Sequence, residues 1–289
     1  MKTYLDCIPC FFKQALDAAK LAGANKSTQK KILKALSKEV LKFDLKECPT
    51  AMGRILYKLV RQITGRHDPF KEIKQKSNEF ALSLYPRLKK KAERSKDRLL
   101  AALELAIAGN IIDYGIKSSL NIDREIDKLF AEEDRIIRRE DKGLFDYPSF
   151  RRALKKAKKI LYIGDNAGEV VFDKILIEEM EDKEIIYVVR GGPIINDALA
   201  EDAAFCGIDK YARIVSSGCD APGTILKFCT GNFRKIFKEA GFIISKGQGN
   251  FEALAGEKAP VFFLFRAKCP VVTKHLGCKL GDIILKKAD

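Results

Sequence analysis

Residues 159–173 read KILYIGDNAGEVVFD, and the fold turns on how this stretch is read. A short apolar run ends in Gly164, Asp165, Asn166, Ala167 and Gly168, and an amphipathic helical pattern begins at once. Strand, tight turn and helix in fifteen residues is the opening of a β-α-β unit. The turn itself has three readings: a glycine loop that cradles phosphate, a metal site, or local Asp-Asn turn chemistry alone. It is neither the G-x-G-x-x-G dinucleotide fingerprint nor a Walker loop, whose lysine it lacks.

Four further runs extend the pattern. EIIYVVRGG, ARIVSSG, GFIISKG and PVFFLFRAKCP are short and β-rich, and helical patterns such as EVVFDKILIEEM and NFRKIFKEA lie between them. Such alternation predicts right-handed crossovers and a largely parallel sheet. Upstream the rhythm is helical from residue 9 to about 130. KKILKALSKEVLKF places Ile32, Leu33, Leu36, Val40 and Leu41 on one face. AMGRILYKLVRQITG ends at Gly65, a C-cap. DRLLAALELAIAGNIIDYG reads as a long buried helix. The expected fold class is α/β, with a helical region over residues 1–145 and a Rossmann-like region over 146–289, its mostly parallel sheet flanked by helices.

The chain's 289 residues are 46% apolar and 32% charged, enough for a large core under a polar surface. No run of 18 apolar residues occurs, and the N-terminus lacks the apolar stretch of a secretory signal, so a cytoplasmic location is expected. The net charge is +15, concentrated in residues 1–100, which carry 24 Lys and Arg against 10 Asp and Glu. Nucleic-acid binding through these basic helices is the alternative function. Aromatic residues are not interleaved with the basic runs, which favours solvated helix faces instead.

Ligands of open parallel sheets bind beyond the carboxyl ends of the strands. The five strand ends carry Gly164 to Glu169, Arg190 to Asp197, Ser216 to Thr224, Lys246 to Asn250 and Arg266 to Pro270. Asp165, Asn166, Asp197 and Asp220 offer hard oxygen ligands of the kind that suits Mg²⁺ or Mn²⁺. Lys246, Arg266 and Lys268 offer positive charge for an anion. The glycines allow close backbone approach, and helices starting after Gly168, Asn196 and Gly249 would add their dipoles. Asn196-Asp197 reads equally well as an N-cap. Any one loop is explained as a turn; five polar strand ends on one edge favour metal-assisted chemistry on a phosphate ester.

Eight cysteines stand at positions 7, 10, 48, 206, 219, 229, 269 and 278. Cys7 and Cys10 have redox-pair spacing, but too few residues precede them for the strand that presents such a motif. Zinc would need two more ligands, for which Cys48 and His67 are the nearby choices. Structural thiols are the simpler reading. Neither His67 nor His275 has a serine or cysteine partner for a hydrolase triad.

Taken together, GDNAGEVVFDKILIEEM, GGPIINDA, SSGCDAPGT, KGQGNFEAL and FRAKCPVVTKHLG resemble the damage-control phosphatases, the ARMT-like family once filed as domain of unknown function 89. CIPCF, ECPTAMGRIL and AGNIIDYG are similar to its stand-alone microbial subfamily with an N-terminal CxxC, so the likeness spans nearly the whole chain. The resemblance implies a metal-dependent phosphatase, active with Mn²⁺, Ni²⁺ or Co²⁺ and with Mg²⁺ as a further choice. Its substrates would be small, often damaged, phosphorylated metabolites such as sugar phosphates or 4′-phosphopantetheine derivatives. Carried over by motif, Asp165, Asn166 and Asp197 would be the metal ligands and Lys246 the phosphate contact.

On that resemblance the expected mechanism is in-line attack by metal-activated water. Asp220, ahead of Glu169, is the expected general base. Glu169, Ser217, Lys246, Gly247, Arg266 and Lys268 are the expected substrate contacts. An aspartyl-phosphate route through Asp165 is disfavoured, because Asn, Ala and Gly follow it in place of the Asp-x-Asp-x-Thr pattern.

Overall fold

The computed structural model describes residues 1–109 and 144–288. The chain is α/β, with six strands in one sheet of order β3-β2-β1-β4-β5-β6. β1 (Lys159–Ile163), β2 (Glu184–Val189), β3 (Arg213–Ser216), β4 (Ile243–Lys246) and β5 (Val261–Arg266) are parallel. β6 (Ile283–Lys287) closes the edge antiparallel to β5. The chain runs outward through β1, β2 and β3, then returns to pair β4 on the other flank of β1. The topological switch point, where a crevice opens at the strand ends, therefore lies between β1 and β4.

The N-terminal region supplies α1 (Ile8–Leu21), α2 (Lys26–Lys42), α3 (Pro49–Thr64), α4 (Lys71–Glu93) and α5 (Arg98–Ala108). α2 is capped by Asn25, whose side chain accepts from the Thr28 N–H at 2.9 Å. Its buried stripe is Ile32 and Leu36; Leu41, expected on that face, is 87% exposed. Leu33 and Val40 are partly buried against the same cluster, so the stripe continues through Val40, and Leu41, one residue further round the helix, faces solvent. α3 ends as expected at Gly65, which has φ 71° and donates to the Arg61 carbonyl. α5 is capped by Asp97 and is buried from Leu100 to Ala108. The expected continuation of that helix to Gly115, and helical structure to residue 130, lie outside the described residues.

Among the described residues the remaining α-helices are α6 (Tyr147–Lys156), α7 (Glu169–Glu178), α8 (Ala200–Phe205), α9 (Gly231–Glu239), α10 (Gln248–Leu254) and α11 (Pro270–Leu276). Alternate residues of each strand feed opposite faces of the sheet. Ile160, Tyr162, Tyr187, Ile244, Phe262 and Leu264 pack in one cluster with α4, α5 and α7. Leu161, Ile163, Val188, Ile243, Phe263 and Phe265 pack in the other with Phe233 and Phe237 of α9, Phe251 of α10 and Val272 of α11. A line at 145/146 thus cuts through a shared core, because α4 and α5 are one cover of the sheet. Among the described residues α1, α2 and α3 form a third apolar cluster, which Phe70 ahead of α4 and Ile194 from the loop after β2 join. Of these helices, α1 and α3 lie over the strand ends and make the roof of the site, while α2 packs behind them.

Candidate active site

The loops after β1 and β2 are stitched together by backbone. The Ala167 N–H donates to the Asn196 carbonyl and the Ala198 N–H to the Asp165 carbonyl, both at 2.8 Å, making a one-rung antiparallel bridge between Asn166 and Asp197. A turn just before the rung, with the Asp197 N–H on the Ile194 carbonyl at 3.0 Å, puts Ile195 at φ 43°. A β-branched residue in the left-handed region costs on the order of 1–3 kcal/mol and marks a constrained position. Local geometry alone therefore sets Asp165, Asn166 and Asp197 side by side.

Asn166 uses both amide hydrogens. Its Nδ2 donates to Asp165 Oδ2 at 3.0 Å and to Glu169 Oε1 at 2.8 Å. The amide oxygen is the atom of that group still able to accept a hydrogen bond or a cation. Arg190, at the end of β2, braces both carboxylates: Nε reaches Asp197 Oδ2 at 2.6 Å and Nη2 reaches Asp165 Oδ1 at 3.4 Å. Its Nη1 donates to Thr224 Oγ1 at 2.9 Å, and the guanidinium is 1% exposed. Gly247 (φ 83°) lies against Asp165, and a Cβ there would fall inside the Asp165 carboxylate.

Below these residues runs a buried polar chain. Lys246 Nζ bonds Asp173 Oδ1 at 2.6 Å and Glu169 Oε2 at 3.3 Å. Tyr162 and Tyr187, stacked with centroids 5.3 Å apart, donate their hydroxyls to Asp173 at 2.7 and 2.8 Å. Burial pushes the Asp165 carboxyl well up, and the Glu169 and Asp197 charges add to this against Arg190 and Lys268. Burial also raises Glu169, against Lys246 and Lys268. The Lys246 ammonium is pulled down by burial, but Asp173 and Glu169 outweigh that and its pKa is raised. Asp165, Glu169, Asp173 and Asp197 thus outnumber the buried cations Arg190 and Lys246.

A cavity of about 610 Å³ opens above, between the strand ends and the roof helices. Asp165, Asn166, Asp197 and Lys268 line it, with Gln248 and Glu252 from α10, Tyr57 and Thr50 from α3, and Cys7, Cys10 and Cys269. Several expected contacts lie elsewhere. Lys246 is 1% exposed and does not line the cavity, because Asp173 and Glu169 hold its ammonium in the layer beneath. Glu169 is turned to Asn166 and Lys246 in that same layer. Ser217 is fully buried, its hydroxyl accepting from the Cys219 N–H. Gly247 donates its N–H to the Leu264 carbonyl, so that amide serves the sheet and not an anion. Arg266 donates to the Gly281 carbonyl at 3.0 Å and does not line the cavity.

Asp220 is likewise off the cavity lining, paired with Arg54 and with Arg61 of α3. The expected helix dipoles also differ. The Gly168 N–H is taken by Asn78 Oδ1 of α4 at 2.7 Å. The helix after Asn196 starts only at Ala200, and α10 starts at Gln248 behind Gly247. Cys48 bonds Thr50 and, like His67, does not line the cavity. Two residues with evident roles carried no assignment from sequence, Arg190 and Glu252. Arg190 had a signal, a charged residue ending an apolar strand; Glu252 had only its four-residue spacing from Gln248.

The damage-control phosphatase ARMT1-like domain model matches residues 3–284. A damage-control phosphatase of Pyrococcus horikoshii is 33% identical, the match covering 98% of this chain and 97% of that one. The crystal structure of the same Pyrococcus protein, described as a DUF89 family member, superposes with a TM-score of 0.88 over the full length of both chains at 31% identity. A damage-control phosphatase of Archaeoglobus fulgidus is 34% identical over 80% of each chain. A more distant match, 25% identical over 56% of this chain and 23% of its own length, is a 4′-phosphopantetheine phosphatase of Mus musculus.

Proposed function

This chain belongs to the damage-control phosphatase ARMT1-like family, and from that premise we propose that it hydrolyses phosphate monoesters of small metabolites with a divalent cation held by Asp165, Asn166 and Asp197. The observation that carries this reading is the rung between the β1 and β2 loops, which sets two carboxylates beside an amide whose N–H groups are both engaged. The fit is to a hard cation. Among the described residues no three His, Cys, Asp or Glu side chains are grouped to hold a metal, so the Asn166 oxygen is needed to complete the set. The surplus of buried carboxylates over buried cations favours added positive charge. Mn²⁺, Ni²⁺, Co²⁺ and Mg²⁺ are the choices that such oxygen ligands and the family resemblance support. The bound cation would supply Lewis-acid polarisation of the phosphoryl group and a lowered water pKa.

The chain's own residues do the rest. Lys268, on the cavity wall, holds the phosphate in place of the buried Lys246. Arg190 fixes the spacing of Asp165 and Asp197 and offsets their mutual repulsion. Lys246 and Glu169 hold the Asn166 amide in one orientation. Asp165 gives its oxygens to Arg190 and Asn166, which favours direct attack by water over an aspartyl-phosphate. Neither Asp220 nor Glu169 faces the cavity, so neither serves as base to that water. The cavity is far larger than a phosphate and its polar lining suits a hydroxyl- or amide-bearing metabolite, including sugar phosphates and phosphopantetheine-like compounds. Nothing observed favours nucleic-acid binding by the basic helices.

The test is a panel of phosphate monoesters assayed with each of the four cations and with a chelator, alongside calorimetric binding of Mn²⁺ to wild type and Asp165→Asn. Hydrolysis that depends on added cation, with binding lost in the variant, is the expected result. No release of phosphate from any ester under any cation would end the proposal.

A further inference from the structure

The α10 wall of the cavity carries a second polar constellation. Gln248, in the first turn, accepts from the Lys268 N–H at 3.0 Å and donates to Glu252 Oε1 at 2.9 Å. Lys268, Gln248 and Glu252 are thus linked in a row along one side of the cavity. Glu252 is 8% exposed, and that exposure is to the cavity it lines. Among the described residues its carboxylate has one hydrogen-bond partner, Gln248. Its second oxygen is not among the buried side-chain atoms that lack partners, which leaves it accessible to cavity contents.

A carboxylate in that position is incompletely satisfied without a ligand, since a buried charge needs more than one hydrogen bond to offset its lost hydration. Burial raises the Glu252 carboxyl to about 7, opposed by the Gln248 hydrogen bond and the Met1 ammonium. A hydrogen-bond donor from a ligand would complete the site.

Position along α10 decides which part of the ligand that is. Gly247, immediately before the helix, touches Asp165. Glu252 lies one helical turn beyond Gln248, roughly 6 Å further along the axis. The Gln248 side chain also stands between Lys268 and the Glu252 carboxylate, so with a phosphate held at Lys268 and Asp165 the carboxylate is suited to a group further out on the leaving alcohol than the ester oxygen. We propose that Glu252, oriented by Gln248, is a specificity residue that selects phosphate monoesters whose leaving group carries a hydroxyl or N–H donor several bonds from the ester oxygen. This rests on the phosphatase reading of the same cavity and adds to it the chemistry of the far half of the substrate.

Two isosteric esters test it: 4-hydroxybutyl phosphate, and n-pentyl phosphate, which replaces the terminal hydroxyl with a methyl. A hydrogen bond to a charged acceptor predicts a kcat/KM ratio of roughly tenfold to hundredfold in favour of the hydroxy ester in wild type. In Glu252→Met, which keeps the length of the side chain and removes the acceptor, the ratio should fall to within about threefold of one. Equal use of both esters by wild type overturns the inference without any variant, and leaves the phosphatase reading standing. So does a variant that loses activity on both esters in proportion, because the ratio is then unmoved. A wild type that hydrolyses neither ester with any cation sinks the phosphatase reading and this inference with it.

Discussion

The layer beneath the cavity and the rim where α3 crosses the strand ends both hold acid–base pairs, and the two sets differ in kind. Below, Lys246 and Asp173 meet at 2.6 Å with side chains 1% and 0% exposed, and two tyrosine hydroxyls donate to the same carboxylate, so both of its oxygens are bonded. At the rim, Asp220 faces Arg54 and Arg61 with side chains 20–30% exposed. The sequence shows an acid or a lysine after a β-run in either place. Burial separates them. A fully satisfied ion in a low-dielectric layer can hold a neighbour's orientation, as Lys246 and Glu169 hold Asn166, while a half-solvated pair docks one element on another.

The largest effect should come from the residues that the buried layer supports. On the proposed reading Asp165→Asn and Asp197→Asn each remove a cation ligand, and several kcal/mol of transition-state stabilisation corresponds to a loss on the order of a thousandfold in kcat/KM. Asp165→Asn should melt close to wild type, since burial already favours the neutral carboxyl there, whereas Asp197→Asn breaks the 2.6 Å buried pair with Arg190 and should melt lower. A variant that keeps more than a tenth of wild-type turnover would dissolve the distinction between layer and rim.

The next effect is on stability. Lys246→Met leaves Asp173 and Glu169 without their ammonium, and breaking a buried pair in this way costs about 3–5 kcal/mol. For a chain of this size that is a fall in Tm on the order of 10 °C. Lys268→Met, on the cavity wall, should melt close to wild type and show its loss in KM for phosphate esters instead. Calorimetric melts of the two variants, with steady-state kinetics, read both outcomes. If Lys246→Met melts like wild type with only its KM raised, Lys246 is a substrate contact after all.

That pair of lysines also shows how far the sequence can be read. Strand and helix alternation from Ile160 onward, and the helical first third, follow from periodicity and glycine placement, because backbone preference and amphipathic patterning are local. The alignment of Asp165, Asn166 and Asp197 was visible as strand-end chemistry, because parallel topology sends all strand ends to one edge. What stayed hidden depends on depth. Lys246 closes β4 and Lys268 follows β5 by two residues, and no local pattern says that one points into the layer beneath and the other lines the cavity. Asp220 and Asp197 look alike in their loops until α3 brings Arg54 and Arg61 to one of them. β6 escaped notice because a lone antiparallel edge strand breaks the alternation that revealed the others.

Between layer and rim stands Glu252, buried like the first and singly bonded like neither. Its folded pKa, about 7, lies above the ordinary glutamate value. The native state therefore binds a proton more tightly than the unfolded chain between about pH 4.5 and 7. The stabilising contribution of the protonated form is complete below the unfolded pKa and is lost as pH rises through 7. A shift of this size amounts to about 2–3 kcal/mol between pH 5 and pH 8. Glu252→Gln should flatten that part of the urea-unfolding profile, so that wild type and variant differ in slope against pH. Parallel profiles would mean that the carboxyl is fully solvated or already paired.

The smallest effect belongs to the rim. Asp220→Asn removes the charge that Arg54 and Arg61 share, in a setting where water screens all three. Exposed and half-exposed pairs contribute about 0.2–1 kcal/mol. Arg61 also donates to the Pro193 carbonyl and Arg54 lies over the Phe228 ring at 4.5 Å, so α3 keeps two other attachments to the loops after β2 and β3. Turnover should stay within about threefold of wild type and the Tm within roughly 3 °C. The expectation is strict because Asp220 has an attractive alternative role as general base. A base lost to asparagine would lower kcat by about a hundredfold or more and remove a limb from the pH–rate profile. A full pH profile of Asp220→Asn that keeps both limbs and most of its height assigns the residue to docking; a missing limb would move it from the rim into the chemistry.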